Sequence, residues 1–222
     1  GVNMTYIVMN NGVYGLTKGQ FSATADRGSV AKKGAVNNDS GIDLASLAII
    51  MGATFVARSF SGDKGQLTPL IKAAISHPGA AILDVVSPCV AFNNHPGSTK
   101  SYDFVRDHNE AVNRLDLIMG QDPIEAEYDP GDSIEVPQAN GPNLRLRKIT
   151  PEYDASDKAG ALSFIQDKEA AGEVATGLLY LDPLPQDLHG SLNTVEAPLN
   201  QLDEADLCPG SAVLDSINAS LR

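Results

Sequence analysis

At 222 residues, 42% hydrophobic and with a mean hydropathy of −0.12, the chain can bury a sizeable core and sits near the upper end for one domain. Its net charge of −12 is unevenly spread, +3 over residues 1–100 and −15 over residues 101–222. The acidic half argues against nucleic-acid binding, the lack of any run of eighteen apolar residues against a membrane-spanning helix, and two cysteines against a disulfide scaffold.

The chain opens on Gly1-Val2-Asn3-Met4, with no basic stretch leading into an apolar one, so no secretory signal is visible and a cytoplasmic location is expected. Starting without an initiator methionine, just before a strand, it reads as a fragment. Tyr6 to Met9 is an apolar run bounded by turn residues and predicts a buried strand. A glycine-punctuated loop follows from Asn10 to Gln20. Ligands of open α/β sheets sit beyond the carboxyl ends of strands, so this loop is the expected place of a site. An Asn side chain and the main-chain carbonyl two residues on can offer two neighbouring hard oxygens to magnesium, and Gly12 permits the sharp turn. Asn11 and Val13 fit those roles, although Asn-Asn-Gly alone reads as an ordinary turn. Thr17, Lys18 and Gln20 add a hydroxyl, a cation and an amide. Lys18 suits an anion as a point charge.

Phe21 to Ser40 is polar, without apolar periodicity, and predicts an extended surface loop in which Lys32 and Lys33 are solvated. Ile42 to Met51 predicts a helix, with Asp43 near its start and Gly52 after its end. Thr54 to Arg58 alternates and predicts a strand. Leu67, Leu70, Ile71, Ala74 and Ile75 form the stripe of a helix over 62–76, with Pro69 in its first turns. Ala80 to Val86 is a near-continuous apolar strand. This order predicts a parallel sheet with helices on its faces. Cys89 in Ser87-Pro88-Cys89 then lies at a strand's carboxyl end, on the same edge as Asn11. A free thiol there is either a small buried hydrophobe or a ligand.

Phe104, Val105, Val112, Leu115 and Ile118 predict a mostly helical stretch over 102–119. Residues 121–137 are acidic with Pro and Gly, and 144–148 predict a short basic strand. Residues 153–175 predict a surface helix, 178–182 a final strand, 183–209 an irregular arm and 211–221 a closing helix. His77, His95, His108 and His189 lack metal spacing and read as surface or hinge residues. Cys208 reads as a structural or exposed thiol. No Gly-x-Ser-x-Gly elbow or Walker motif supports hydrolysis or P-loop chemistry.

The string Asn10-Asn11-Gly12-Val13-Tyr14-Gly15-Leu16-Thr17-Lys18-Gly19-Gln20 resembles the second half of the thiamine diphosphate motif, in which Gly-Asp-Gly precedes Asn-Asn. More narrowly it is similar to the β subunits of 2-oxoacid:ferredoxin oxidoreductases, in the form found in the 2-oxoglutarate or broad 2-oxoacid type. The resemblance covers residues 1–125 and leaves 126–222, an irregular acidic extension, without an assigned role. It implies an α/β fold, a three-layer parallel sheet of the thiamine diphosphate-binding type, incomplete at the N-terminus. It also implies oxidative decarboxylation of a 2-oxoacid with coenzyme A, electrons passing to ferredoxin, in a complex with an α subunit. On this reading Asn11, Gly12, Val13, Tyr14, Gly15 and Leu16 bind thiamine diphosphate, and Asn11 with the Val13 carbonyl holds magnesium. Lys18 and Thr17 line the approach as catalytic candidates, and Cys89 supplies one of four ligands to a [4Fe–4S] cluster. The Gly-Asp-Gly half and the other three cysteines are not in this sequence, so the chain alone is expected to be inactive and marginally stable. A non-oxidative thiamine diphosphate enzyme, which would not need Cys89, and a non-catalytic interaction subunit remain alternatives.

Overall fold

A computed structural model describes residues 2–118, 133–136, 143–148, 153–185, 188–195, 197–208 and 210–221. The chain divides into two compact units, 1–187 and 188–222.

The first unit opens with β1 (Met4–Asn10), followed by a two-stranded hairpin, β2 (Val13–Tyr14) and β3 (Gln20–Phe21). The long loop after it contains only an isolated bridge, Val30 to Val36, yet it is pinned from within. The buried Asn37 amide donates to the carbonyls of Ala25, Asp26 and Asp39. Helix α1 (Leu44–Ile50) starts where Asp43 accepts the Ser46 N–H, a side-chain cap of the expected kind. Then come β4 (Phe55–Phe60), α2 (Lys64–Ser76) and β5 (Ala80–Val86). Pro69 falls in the second turn of α2, and Asp63 caps its start.

The main sheet has the order β1-β5-β4, extended by β10 (Val174–Leu181) and β6 (Asn109–Ala111). β1, β5 and β4 run parallel, in a register that aligns Asn10, Val86 and Phe60 at one edge. β10 joins β4 antiparallel, and β6 pairs parallel to β10. The sheet is therefore mostly parallel, and it takes strands from both sides of residue 125. One face packs on α2 through Phe55, Ala57, Leu70, Ala74, Leu83 and Leu178. The other packs on α1 and α4 (Lys158–Ala170) through Ile49, Val56, Ala161, Ile165 and Leu179. These are the three expected layers.

Five differences from the sequence reading have physical causes. β4 is buried at every position rather than alternately, because helices cover both of its faces. Among the described residues β1 is an edge strand that pairs only with β5, so Tyr6, Ile7 and Met9 are exposed where a buried run was expected. The helix expected over 102–119 stops early: α3 (Tyr102–His108) gives way to β6 and β7 (Asn113–Ile118). The helix expected over 153–175 ends at Ala170, where Gly172 takes a left-handed turn (φ +75°) into β10. β7 pairs with β9 (Asn143–Lys148), which pairs with β8 (Ser133–Val136), in a separate antiparallel sheet. Most of the acidic stretch 121–137 lies outside the described residues.

His77 is the fifth. It is buried at the amino edge of the sheet, not on the surface, with Nε2 2.8 Å from the Thr54 hydroxyl and its ring against Phe55. Burial lowers its pKa to about 4, against a smaller opposing pull from Asp182. The folded protein therefore holds it neutral, whereas the unfolded chain protonates it near pH 6.5. Stability contributed this way is present above pH 6.5 and lost as pH falls towards 4, by about 3 kcal/mol in all. Urea unfolding at pH 7 and pH 4.5 tests it: His77→Gln should flatten the difference, and equal pH slopes in the two proteins would refute it.

The second unit contains α5 (Leu188–Ser191), a 3-10 turn (Leu199–Gln201), α6 (Glu204–Leu207) and α7 (Ser211–Ser220). The closing helix agrees with the pattern over 211–221. Asp203 and Asp206 form a reciprocal capping box at α6.

Candidate cofactor site

The site grows from two neighbouring strand ends. β1 finishes at Asn10 beside Val86 of β5, and the Ser87 N–H donates to the Asn10 carbonyl at 2.9 Å. The loops that begin at Asn11 and at Ser87 therefore leave the sheet side by side.

The two asparagines do different things. Asn10 is buried, and its Nδ2 donates to Asp84 at 3.0 Å while its Oδ1 accepts from the Thr24 hydroxyl at 2.7 Å. Asn11, only half-buried, turns its Oδ1 back on the Val13 N–H at 2.9 Å. Between them and Val13, Gly12 sits at φ +70°, where an added Cβ would lie 3.1 Å from Lys100 Cδ and 3.2 Å from Asn93 Nδ2. Asn93 donates to the Asn11 carbonyl at 2.7 Å, and Ser22 N–H donates to the Gly12 carbonyl at 3.0 Å. Asn93 and Lys100 thus form a floor under the turn, close enough that only glycine fits above it.

Past Val13 the hairpin projects outward. Tyr14 pairs with Gln20, and the tip is closed by Lys18 N–H to Gly15 O and Gly19 N–H to Tyr14 O. Lys18 holds a left-handed φ of +72°, and Leu16 is 98% exposed. Thr17 makes one long contact, 3.4 Å to the Tyr14 carbonyl. Gly19 packs on Phe92, which anchors the tip to the Cys89 loop. The structure thus gathers Asn11, Gly12 and Val13 at the base, and sets Tyr14, Gly15, Leu16, Thr17 and Lys18 along an exposed arm. Cys89 is a free, half-buried thiol whose carbonyl accepts from the N–H groups of Phe92 and Asn93.

Beneath this edge lies a buried ionic network that the sequence reading missed. Arg58 Nε donates to Asp84 at 2.8 Å, and its terminal nitrogen bonds Asp43. Burial alone would raise the Asp43 carboxyl, but the Arg58 guanidinium and hydrogen bonds from Ser46 and Arg58 hold it below the usual carboxylate range. Burial would likewise lower Arg58, yet Asp84 and Asp43 raise it further. The signal was present: Asp84 is the one acid in an otherwise apolar strand, and Arg58 is its partner in register on β4. Lys100 continues the polar set, with Nζ 3.0 Å from both Asp26 oxygens. A cavity of about 220 Å³ opens here, lined by Asn10, Thr24, Asp26, Arg58, Lys100 and Glu169 among others. Glu169 is raised, chiefly by burial and then by the charges of Asp43 and Asp26.

The donors available set what could bind. Asn11 Oδ1 and the Val13 carbonyl are hard oxygens on one tight turn, which suits magnesium and a diphosphate. Cys89 is one thiolate where an iron–sulfur cluster takes four, and no group of three or more His, Cys, Asp or Glu suited to a metal occurs among the described residues.

Comparison with known proteins gives the class. Residues 1–85 match the family model of the C-terminal TPP binding domain of thiamine pyrophosphate enzymes. The β subunit of the 2-oxoacid:ferredoxin oxidoreductase of a Sulfolobus species is 31% identical over 214 residues, which are 92% of this chain and 65% of that subunit. The corresponding subunit of Saccharolobus solfataricus is 44% identical over 126 residues, covering 55% of this chain and 38% of that one. The 2-oxoglutarate oxidoreductase subunit KorB of Mycobacterium tuberculosis is 39% identical over 94 residues, 42% of this chain and 25% of the subunit. A solved 2-oxoglutarate:ferredoxin oxidoreductase from Magnetococcus marinus, with 2-oxoglutarate, coenzyme A and succinyl-CoA bound, superposes with a TM-score of 0.63 at 25% identity. That match covers 97% of this chain and 58% of the solved one. By sequence and by fold the chain is thus similar to the β subunits of 2-oxoacid:ferredoxin oxidoreductases. It spans less than two thirds of the length of each of these relatives.

Proposed function

We propose that this chain contributes the second half of a thiamine diphosphate site to an enzyme that oxidatively decarboxylates a 2-oxoacid. Coenzyme A takes the acyl group, carbon dioxide leaves, and the two electrons pass to oxidised ferredoxin. The observation that carries this is the turn at the end of β1, where Asn11 Oδ1, Gly12 and Val13 are held over the Asn93–Lys100 floor. Thiamine diphosphate, when bound, would supply the nucleophilic and electron-sink chemistry that decarboxylation of a 2-oxoacid needs. Asn11 Oδ1 and the Val13 carbonyl would hold the magnesium that neutralises its diphosphate. Tyr14, Gly15 and Leu16 would line the cofactor. Lys18, exposed on its arm with Thr17 beside it, offers a cation to an anionic group of cofactor, coenzyme A or substrate. Cys89 would supply one thiolate to a [4Fe–4S] cluster. The other three thiolates that such a cluster takes would come from outside these residues. An α subunit completes the site, and the chain alone is inactive. A cytoplasmic setting fits this role. No helix among the described residues is long and apolar enough to cross a membrane.

Two of the relatives named above act on 2-oxoglutarate by name, which favours 2-oxoglutarate over pyruvate. The test is an assay of the complete complex with coenzyme A and oxidised ferredoxin. Higher kcat/KM for 2-oxoglutarate supports the reading, and preference for pyruvate refutes the substrate assignment. Decarboxylation without ferredoxin reduction would turn the assignment to the non-oxidative class.

A further inference from the structure

Asn93 lies four residues after Cys89 and was not among the expected site residues. It is 2% exposed, and its main chain is fixed at both ends: the N–H donates to the Cys89 carbonyl at 2.8 Å, and the carbonyl accepts from the Ser98 hydroxyl at 3.1 Å. Its side chain sends Nδ2 to the Asn11 carbonyl at 2.7 Å. Its Oδ1 is buried and meets no donor among the described residues. A buried acceptor without a partner is unfavourable, and an apolar side chain would avoid it. What an apolar side chain lacks is the donor that reaches Asn11.

The peptide it holds is the one that needs holding. Asn11 is followed by Gly12, the residue freest to rotate, and the Asn11 side chain is set only by its local bond to Val13 N–H. With its carbonyl engaged by Asn93, Asn11 keeps the peptide fixed and leaves its side-chain oxygen as the one to offer a ligand. Lys100 supports the same point from below Gly12 but makes its own bonds to Asp26. Its role at the turn is packing.

We propose that Asn93 is the positioning residue of the cofactor turn: by donating to the Asn11 carbonyl it sets the geometry in which Asn11 and Val13 accept magnesium and the diphosphate. This rests on the function proposed above. It also ties the Asn11 turn and the Cys89 loop to one side chain.

The experiment measures thiamine diphosphate binding to the complete α/β complex at saturating and at limiting magnesium, together with the Tm of the cofactor-free complex. Asn93→Asp keeps the shape but replaces the donor with an acceptor, and Asn93→Ala removes it. Both are expected to weaken thiamine diphosphate binding about 10- to 100-fold and to raise the magnesium needed for half-saturation, as loss of a partner behind a metal ligand does. A purely structural role would lower Tm and the amount of folded complex without changing either binding value. Should neither variant assemble, Ser98→Ala removes only the bond to the Asn93 carbonyl and its acceptance of the Lys100 N–H, and is expected to weaken binding a few-fold. Unchanged Kd and magnesium requirement in a folded variant overturn the proposal. Lack of magnesium-dependent binding in the unmodified complex overturns the proposed function itself.

Discussion

Replacing Arg58 with methionine is expected to lower the unfolding free energy by about 3–5 kcal/mol, the range found when one partner of a buried ion pair is removed. The guanidinium is buried between two carboxylates, Asp84 and Asp43, and Asp84 is itself only 2% exposed. Methionine fills similar space but leaves the Asp84 charge, among the described residues, with the neutral donor Asn10 Nδ2 alone. The cost is that of a stranded anion rather than of a lost attraction, so a second change should recover much of it. Arg58→Met with Asp84→Asn removes the Arg58 and Asp84 charges, leaving Asp43 on its Ser46 N–H bond, and is expected to be more stable than Arg58→Met alone. Urea unfolding of the four proteins of this cycle measures both effects. A loss below about 1 kcal/mol for Arg58→Met would mean that water reaches Asp84, contrary to its burial. Acid acts on the same network through Asp43. Its folded pKa is depressed, so its contribution is present above the unfolded value of 3.8 and lost as pH falls through the folded one.

The second large effect is on binding. Asn11→Ala removes the side-chain oxygen and the local bond to Val13 N–H, while the Asn93 bond to the main-chain carbonyl and the Ser22 bond to Gly12 remain. Magnesium-dependent thiamine diphosphate binding by the complete complex is expected to fall by about two orders of magnitude or more, since even partners behind a metal ligand are worth 10- to 100-fold. The fold itself should lose little, on the order of one hydrogen bond or about 1 kcal/mol, because Asn11 is only half-buried. Asn11→Asp retains an oxygen acceptor that a hard cation prefers and should keep far more of the affinity. Calorimetric titration separates these cases, and wild-type affinity in Asn11→Ala would remove Asn11 from the site.

Much of the sheet was legible because its signals are local. Ala80 to Val86 is apolar nearly throughout, Asp43 announces α1, and the α2 stripe repeats at helical spacing. The errors fall where a partner distant in sequence decides. Val112, Leu115 and Ile118 are spaced as on a helix, yet residues 109–111 pair with β10 and 113–118 with β9. Short apolar runs do not discriminate helix from strand by period alone. Tyr6 to Met9 has the composition of an interior strand, and composition does not say how many neighbours a strand has. The site divides in the same way. Asn11, Gly12 and Val13 are one contiguous turn and could be read directly. Asn93 reaches Asn11 across 82 positions, and Lys100 reaches Asp26 across 74, so neither contact leaves a pattern in the chain.

The antiparallel seam between β4 and β10 fixes an order of events. Phe55 is matched with Leu181 and Ala57 with Leu178, although β4 already has β5 close by in sequence on its other side. On the ribosome, β1, β4 and β5 emerge well before the strand that covers the open side of β4. Until residue 181 is out, Phe55 and Val56 lack the Leu178 and Leu179 against which they end up packed. Contacts across such a separation form late and slowly, because the loop entropy precedes the gain. Between the completion of β5 at Val86 and of β10 at Leu181 the sheet is half-built, the state in which exposed strand edges meet other chains. The seam between β4 and β10 is thus the part of the sheet that depends on the most distant segment of the chain.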